Sequence, residues 1–236
     1  MKHICDLPGL IDWPSPNFDD RKSRVSMLVL HYTGMEDGPA AIQRLADPEA
    51  KVSAHYVVEE DGRIIRMVPE DKRAWHAGRS WWRGVEDINS ASIGIEVVNP
   101  GHEFGYRPFP EAQVDALIPL IADIVRRHGL TRGNVVGHSD VAPMRKQDPG
   151  ELFPWHRLAR LRLALPRPTR NLMDPYWSDG GFLLALERFG YDVTDRAAAV
   201  RAFQRRFRPE LIDGIIDGEC RAILLALLLP RPQGDS

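Results

Sequence analysis

Three features of this 236-residue sequence predict an α/β fold followed by a small all-helical unit. Apolar runs of strand length recur at residues 26–33, 92–100 and 134–141. Amphipathic helical spacing separates them at 39–46 and 110–128. After residue 175 the strand patterns stop and three helical patterns follow.

The first 24 residues, rich in Pro and Asp with a PSPN turn, are expected to form an irregular arm on the surface. SMLVLHYT (26–33) is a buried strand that delivers His31 at its end and is broken by Gly34. Residues 39–46 form a short helix, with Pro early and Asp47-Pro48 as its stop. AHYVVEEDGRIIRMV (54–68) places two β-rich runs around Asp61-Gly62, a hairpin with Glu59 and Glu60 exposed. The stretch AWHAGRSWWRGVEDINSAS (74–92) is long for a plain loop and dense in Trp, Gly and Arg, the composition of a substrate wall. SIGIEVVNP (92–100) is a strand, apolar except for Glu96. A carboxylate inside such a run is costly unless it has a partner or a task.

Residues 110–128 set Val114, Leu117, Ile118, Ile121, Ile124 and Val125 on one helix face, and Gly129 ends the helix. NVVGHSDV (134–141) is a further strand, and 152–163 a last helix with Arg157 and Arg160 outward. ALPRPTRNLMDP (164–175), with three prolines, is a linker. The expected organisation is therefore a unit at 1–163, a linker at 164–175, and at 176–236 a helical unit built from FLLALERFG, AAAVRAFQRRF and CRAILLALLL.

The formal net charge of −2 gives no electrostatic footprint for nucleic acid or an anionic membrane, so neither partner is expected. No apolar run approaches the ~20 residues of a membrane span. Cys5 and Cys220 lack a short-spaced framework and are expected to stay reduced. The N-terminal residues lack the apolar run of a signal peptide, so the expected compartment is the cytoplasm. An export signal upstream of Met1 would make it periplasmic.

The stretch GHSDVAPMRKQDPG (137–150) holds two residues of zinc-ligand type, His138 and Asp148, with Lys146 two residues before the carboxylate. In an extended segment Lys146 and Asp148 would point the same way. A catalytic zinc site commonly has three protein ligands, so a third must come from elsewhere, and His31 at a strand end is the candidate. Two neutral imidazoles and one carboxylate leave zinc net positive, able to polarise a carbonyl and acidify a water.

The ordered segments VLHYTG, SAHYVV, AWHAG, SIGIEVVN and GHSDVAPMRKQDPG resemble the zinc-dependent N-acetylmuramoyl-L-alanine amidases of type 2, over roughly residues 26–163. The resemblance implies a central mixed β-sheet flanked by helices. It implies zinc (Zn2+) held by His31, His138 and Asp148, with Glu96 at the catalytic carboxylate and Lys146 at the catalytic lysine. It also implies hydrolysis of the amide between N-acetylmuramic acid and L-alanine, in peptidoglycan or in muropeptides such as the 1,6-anhydro form. Residue chemistry agrees. Amide hydrolysis needs a nucleophile, a base, oxyanion stabilisation and an acid for the departing amine. A buried Glu96 should have a raised pKa suited to shuttling a proton, and Lys146 can stabilise the oxyanion.

His76, Arg79, Trp81 and Trp82 are candidate substrate contacts, with plain packing as the other reading of His76 and the tryptophans. His55 is read as core or as a brace for a ligand, and His3, His102, His128 and His156 as surface residues. Residues 176–232 resemble a three-helix peptidoglycan-binding domain through GYDV, AVRAFQRRFRP and DGIIDGECRAILLAL, although the usual Asp-Gly turn is shortened to TDRA. Glycan binding and a simple helical cap both stand as readings. Two rivals to the amidase remain: a non-catalytic muropeptide-binding protein, opposed by the complete ligand set with Glu96 and Lys146, and a phage-type endolysin.

Overall fold

The computed structural model describes residues 10–170 and 172–229. His3 and Cys5 lie outside them, and Cys220 is a buried free thiol. In chain order the elements are β1 (Leu10–Asp12), β2 (Phe18–Asp20), β3 (Met27–Tyr32), α1 (Gly38–Ala46), β4 (Tyr56–Val58), β5 (Ile64–Arg66) and β6 (Lys72–Ala74). Next come α2 (Ile88–Ala91), β7 (Ser92–Val97), α3 (Gly101–Phe104), α4 (Glu111–His128), β8 (Val135–Gly137), α5 (His138–Val141) and α6 (Trp155–Arg160). Three further helices close the described chain: α7 (Asp179–Phe189), α8 (Arg196–Phe207) and α9 (Gly218–Leu228).

Six strands form one mixed sheet in the order β1-β5-β4-β7-β3-β8, and β2 pairs with β6 in a two-stranded sheet. Only the β4–β5 hairpin is antiparallel within the main sheet. The mixed sheet with flanking helices is the architecture expected from the sequence. The leading arm is a correction: β1 is the edge strand, paired in parallel with β5, and β2 is half of the small sheet. Glu59 is also not exposed; it is 7% accessible and its carboxylate takes Arg63 at 2.9 Å.

Alternation along the strands divides the sheet into two faces. Leu28 and Leu30 of β3, Ile93, Ile95 and Val97 of β7 and Val135 of β8 pack beneath α4, with Leu117, Leu120, Ile121 and Ile124. Buried Gln113 of α4 donates to the carbonyls of Val58 and Val98 at 3.0 and 2.9 Å, which ties the helix to the ends of β4 and β7. The opposite face carries Met27, Val29 and Val136, packed with α7–α9 through Phe182, Phe203 and Ile223. At its other end, Ile42 and Leu45 of α1 cover Val57 and Ile65.

Residues 164–170 and 172–175 carry no helix or strand, yet they are held down. Ala164 is in the core beneath α4, Leu165 and Leu172 pack with the C-terminal helices, and Arg167 and Asp174 pair with Glu210 and Arg221. The predicted helix at 152–163 shrinks to α6: Pro154 disfavours helical geometry for Phe153 before it, and Arg162 has a left-handed φ of 59° just beyond its end. Among the described residues no helix is long and apolar enough to cross a membrane.

Candidate metal centre and its cleft

The parallel register of β3 and β7 sets His31 beside Glu96, at the end of the face that also carries Met27 and Val29. β8 is shorter than its sequence pattern predicts. It ends at Gly137, and His138 opens the one-turn helix α5. Gly137 lets the chain return: a Cβ there would lie 2.7 Å from Cδ of Pro149. Ser139 N–H donates to the Asp148 carbonyl at 2.8 Å, so Asp148 is held against the turn that carries His138.

Nδ1 of His31, Nδ1 of His138 and Oδ2 of Asp148 form a triangle with edges of 2.9, 3.0 and 3.0 Å. All three residues are at most 5% exposed. Protons cannot satisfy this triangle. If one imidazole nitrogen is protonated, the other meets Asp148 with no hydrogen between them; if both are, two donors face each other. Three acceptors converging on one point suit a shared cation, and these residues form a group that could hold a metal ion.

The charge state fits. Burial, reinforced by His138, lowers the His31 pKa to about 4 against the pull of Asp148. Burial alone would raise Asp148, but the two imidazoles outweigh it and hold the carboxyl below its ordinary range. Neutral imidazole and ionised carboxylate are the ligand forms.

Glu96, His31, His138, Lys146 and Asp148 line one cleft of about 530 Å³. Glu96 is 9% exposed and its Oε2 has no hydrogen-bond partner among the described residues. Burial first, then the Asp148 charge, raise its pKa well above the ordinary carboxyl value, against the opposing pull of Lys146. Lys146 reaches this cleft from a turn, its N–H bonded to the Ala142 carbonyl at 3.1 Å, and not from the extended segment that alternation assumed.

The loop candidates separate. His76 is buried beside His31, with His31 Nε2 and His76 Nδ1 3.0 Å apart. Trp82 is not on the cleft wall: it is 2% exposed and packs edge-on against Phe189 and Tyr191. Trp81 lines a separate hollow with Glu187 and Tyr191. The Arg79 side chain is outside the cleft lining, while its carbonyl accepts from Arg145 Nε at 3.1 Å. His55 is buried, taking the Gly94 N–H on Nδ1 at 2.9 Å. The sequence reading missed the rim, where Tyr32 and His102 join at 3.0 Å and His102 reaches Glu151 at 3.1 Å. A lone histidine without ligand spacing gave no signal there.

The C-terminal helices brace this centre from behind. Buried Asp140 of α5 accepts from Tyr191 Oη at 2.6 Å and from the Gly137 N–H at 2.8 Å. Arg206 lies 3.0 Å over the Trp155 ring and donates to the Val135 carbonyl at 3.3 Å.

A structural ion is commonly closed off by four protein ligands, whereas three ligands facing an open cleft leave room for substrate. Three such ligands, a buried carboxylate and a lysine around one open cleft suit metal-assisted hydrolysis. The chain belongs to the N-acetylmuramoyl-L-alanine amidase family, whose pattern matches residues 21–151. It is 37% identical to the N-acetylmuramoyl-L-alanine amidase AmiD of Escherichia coli K12, over 93% of this chain and 90% of that one. It is 34% identical to the 1,6-anhydro-N-acetylmuramyl-L-alanine amidase AmpD of Enterobacter cloacae, over 61% of this chain and 85% of that one. The structure of E. coli AmiD with anhydro-N-acetylmuramic acid-L-Ala-D-gamma-Glu-L-Lys superposes with a TM-score of 0.78, covering 89% of this chain and 91% of that one.

Proposed function

We propose that this amidase is zinc-dependent and acts on soluble 1,6-anhydro-muropeptides, cleaving the amide between the lactyl carbonyl of the muramic acid and L-alanine in cell-wall recycling. The observation that carries the reading is the triangle of His31, His138 and Asp148 beside the unpartnered Oε2 of Glu96. The names of AmpD and of the AmiD complex, both referring to anhydro-muramyl compounds, support the anhydro form as substrate.

His31 Nδ1, His138 Nδ1 and Asp148 Oδ2 would hold the zinc. When bound, it supplies Lewis acidity toward a carbonyl and a lowered pKa for water. Glu96 Oε2 takes the proton of the attacking water and returns it to the alanine nitrogen as the C–N bond breaks. Its raised pKa makes it a stronger base than an exposed carboxylate for the first transfer. Lys146 stabilises negative charge developing on the carbonyl oxygen. The cleft offers Tyr32, Arg44, His102 and Arg145 to the substrate, in place of the Trp81 and Trp82 expected from composition.

The test compares a soluble anhydro-muropeptide with purified sacculi under identical zinc loading. The proposal expects kcat/KM for the soluble fragment to exceed that for the polymer by about tenfold or more, roughly the discrimination of 1.4 kcal/mol of differential transition-state binding. That preference would fit action on fragments taken up into the cytoplasm. Faster release from sacculi would instead assign the enzyme to the wall itself, as in a lytic enzyme.

A further inference from the structure

We propose that His76, backed by Ser92, is a positioning residue that fixes the tautomer of His31 so that its Nδ1 presents a lone pair to the metal. The inference rests on His31, His138 and Asp148 being the metal ligands.

The hydrogen bonds run in one direction, and the direction is forced from the far end. Ser92 Oγ lies 2.5 Å from the Ile88 carbonyl, which can only accept, so the hydroxyl proton goes there. Ser92 Oγ therefore accepts from His76 Nε2 at 3.2 Å. With its proton on Nε2, neutral His76 has a bare Nδ1, which accepts from His31 Nε2 at 3.0 Å. His31 then carries its proton on Nε2 and leaves Nδ1 bare at the triangle. Four groups thus relay one polarity from a backbone carbonyl to a ligand atom.

The surroundings are built around this ring. A Cβ at position 94 would stand 2.4 Å from Cγ of His76, so glycine in the middle of β7 is what admits the imidazole. Asn89 Oδ1 accepts from the N–H groups of His76 and Ala77 at 3.0 and 2.7 Å, fixing the backbone on which the ring hangs. The neighbouring carbonyl of Ala77 accepts from His138 Nε2 at 3.0 Å, which bares His138 Nδ1 in the same way. One short segment therefore orients both imidazole ligands, the first through a side chain and the second through the backbone. Such partners of metal-bound histidines fix ring and tautomer, and losing one costs about 10–100-fold in metal affinity or activity.

The experiment measures zinc affinity by chelator competition, together with the His31 tautomer by nitrogen-15 NMR of the zinc-free protein. The proposal expects the proton on Nε2 of His31 in the wild type. His76→Leu should weaken zinc binding about 10–100-fold. His76→Asn, whose Oδ1 can stand in for the accepting Nδ1, should recover most of that loss. Should His76→Leu not fold, Ser92→Ala keeps the ring but frees its polarity, and should populate both tautomers of His76 with a smaller loss of affinity. Wild-type affinity in His76→Leu or Ser92→Ala, or a wild-type His31 protonated on Nδ1, would overturn the proposal. A wild-type protein with the expected tautomer but no zinc affinity would instead overturn the ligand assignment on which it rests.

Discussion

The two faces of the main sheet are made from alternate residues of the same strands, yet they are built on different terms. Beneath α4 the buried residues of β3 and β7 are apolar: Leu28, Leu30, Ile93, Ile95 and Val97. On the other face β3 reads Met27, Val29, His31, and β7 reads Ser92, Gly94, Glu96. The first face is shaped by burial alone, and a similar apolar residue can replace another at modest cost. The second is apolar at one end of β3 and polar at the other: His31 and Ser92 there each answer to specific atoms, while Glu96 Oε2 has no partner among the described residues. Stability and chemistry thus share a strand without sharing a surface.

The largest effects should separate the faces. Asp148→Ala should abolish zinc binding and reduce turnover to background while the protein stays folded by circular dichroism, since it removes one of three ligands. Leu117→Ala, fully buried beneath α4, should do the reverse. It should cost about 2–5 kcal/mol in denaturant unfolding, with unchanged zinc stoichiometry and unchanged kcat in the folded fraction. Zinc loss in Leu117→Ala without unfolding would show that the faces are coupled.

A smaller, pH-dependent effect is expected on the α4 side. Glu70 accepts from Tyr56 Oη at 2.8 Å, Arg127 Nη2 at 2.7 Å and His128 Nε2 at 2.6 Å, joining the end of α4 to the hairpin. Burial would raise its pKa, but these partners lower it to about 2. A carboxyl depressed on folding stabilises above its unfolded pKa of about 4.3, and that stabilisation is lost as the pH falls toward 2. Glu70→Gln should therefore cost about 1–3 kcal/mol at pH 7 and flatten the acid limb of the stability curve between about pH 4.5 and 2. Equal acid sensitivity in wild type and variant would show that Glu70 does not set the acid limb.

What could be read from the sequence follows the same division. Apolar periodicity located β3, β7 and α4, because long elements with one buried face carry a strong pattern. It missed β1 and β2, which at three residues each are too short to show a period. Composition marked 74–92 as a substrate wall, but the fate of Trp82 was set by Phe189 and Tyr191, more than 100 residues away in sequence. Lys146 and Asp148 were identified by residue type and resemblance; the turn that brings them together is not an alternating strand. The isolated carboxylate in β7 was visible because it violates its apolar context, and the structure places its Oε2 without a partner among the described residues. Gln113, His102 and Tyr32 violate nothing in their local sequence, and so gave no signal.

The proposed chemistry turns on Glu96, the residue of β7 that burial alone does not explain. Glu96→Gln preserves shape while removing the proton acceptor. The measurement is kcat on a defined anhydro-muropeptide, with product masses recorded and zinc content assayed in the same preparation. The expected result is full zinc occupancy, an unchanged melting profile and a loss in kcat on the order of 10²–10⁴, the usual range for a positioned acid or base. Near-normal release of L-alanyl peptide by zinc-loaded Glu96→Gln would contradict it.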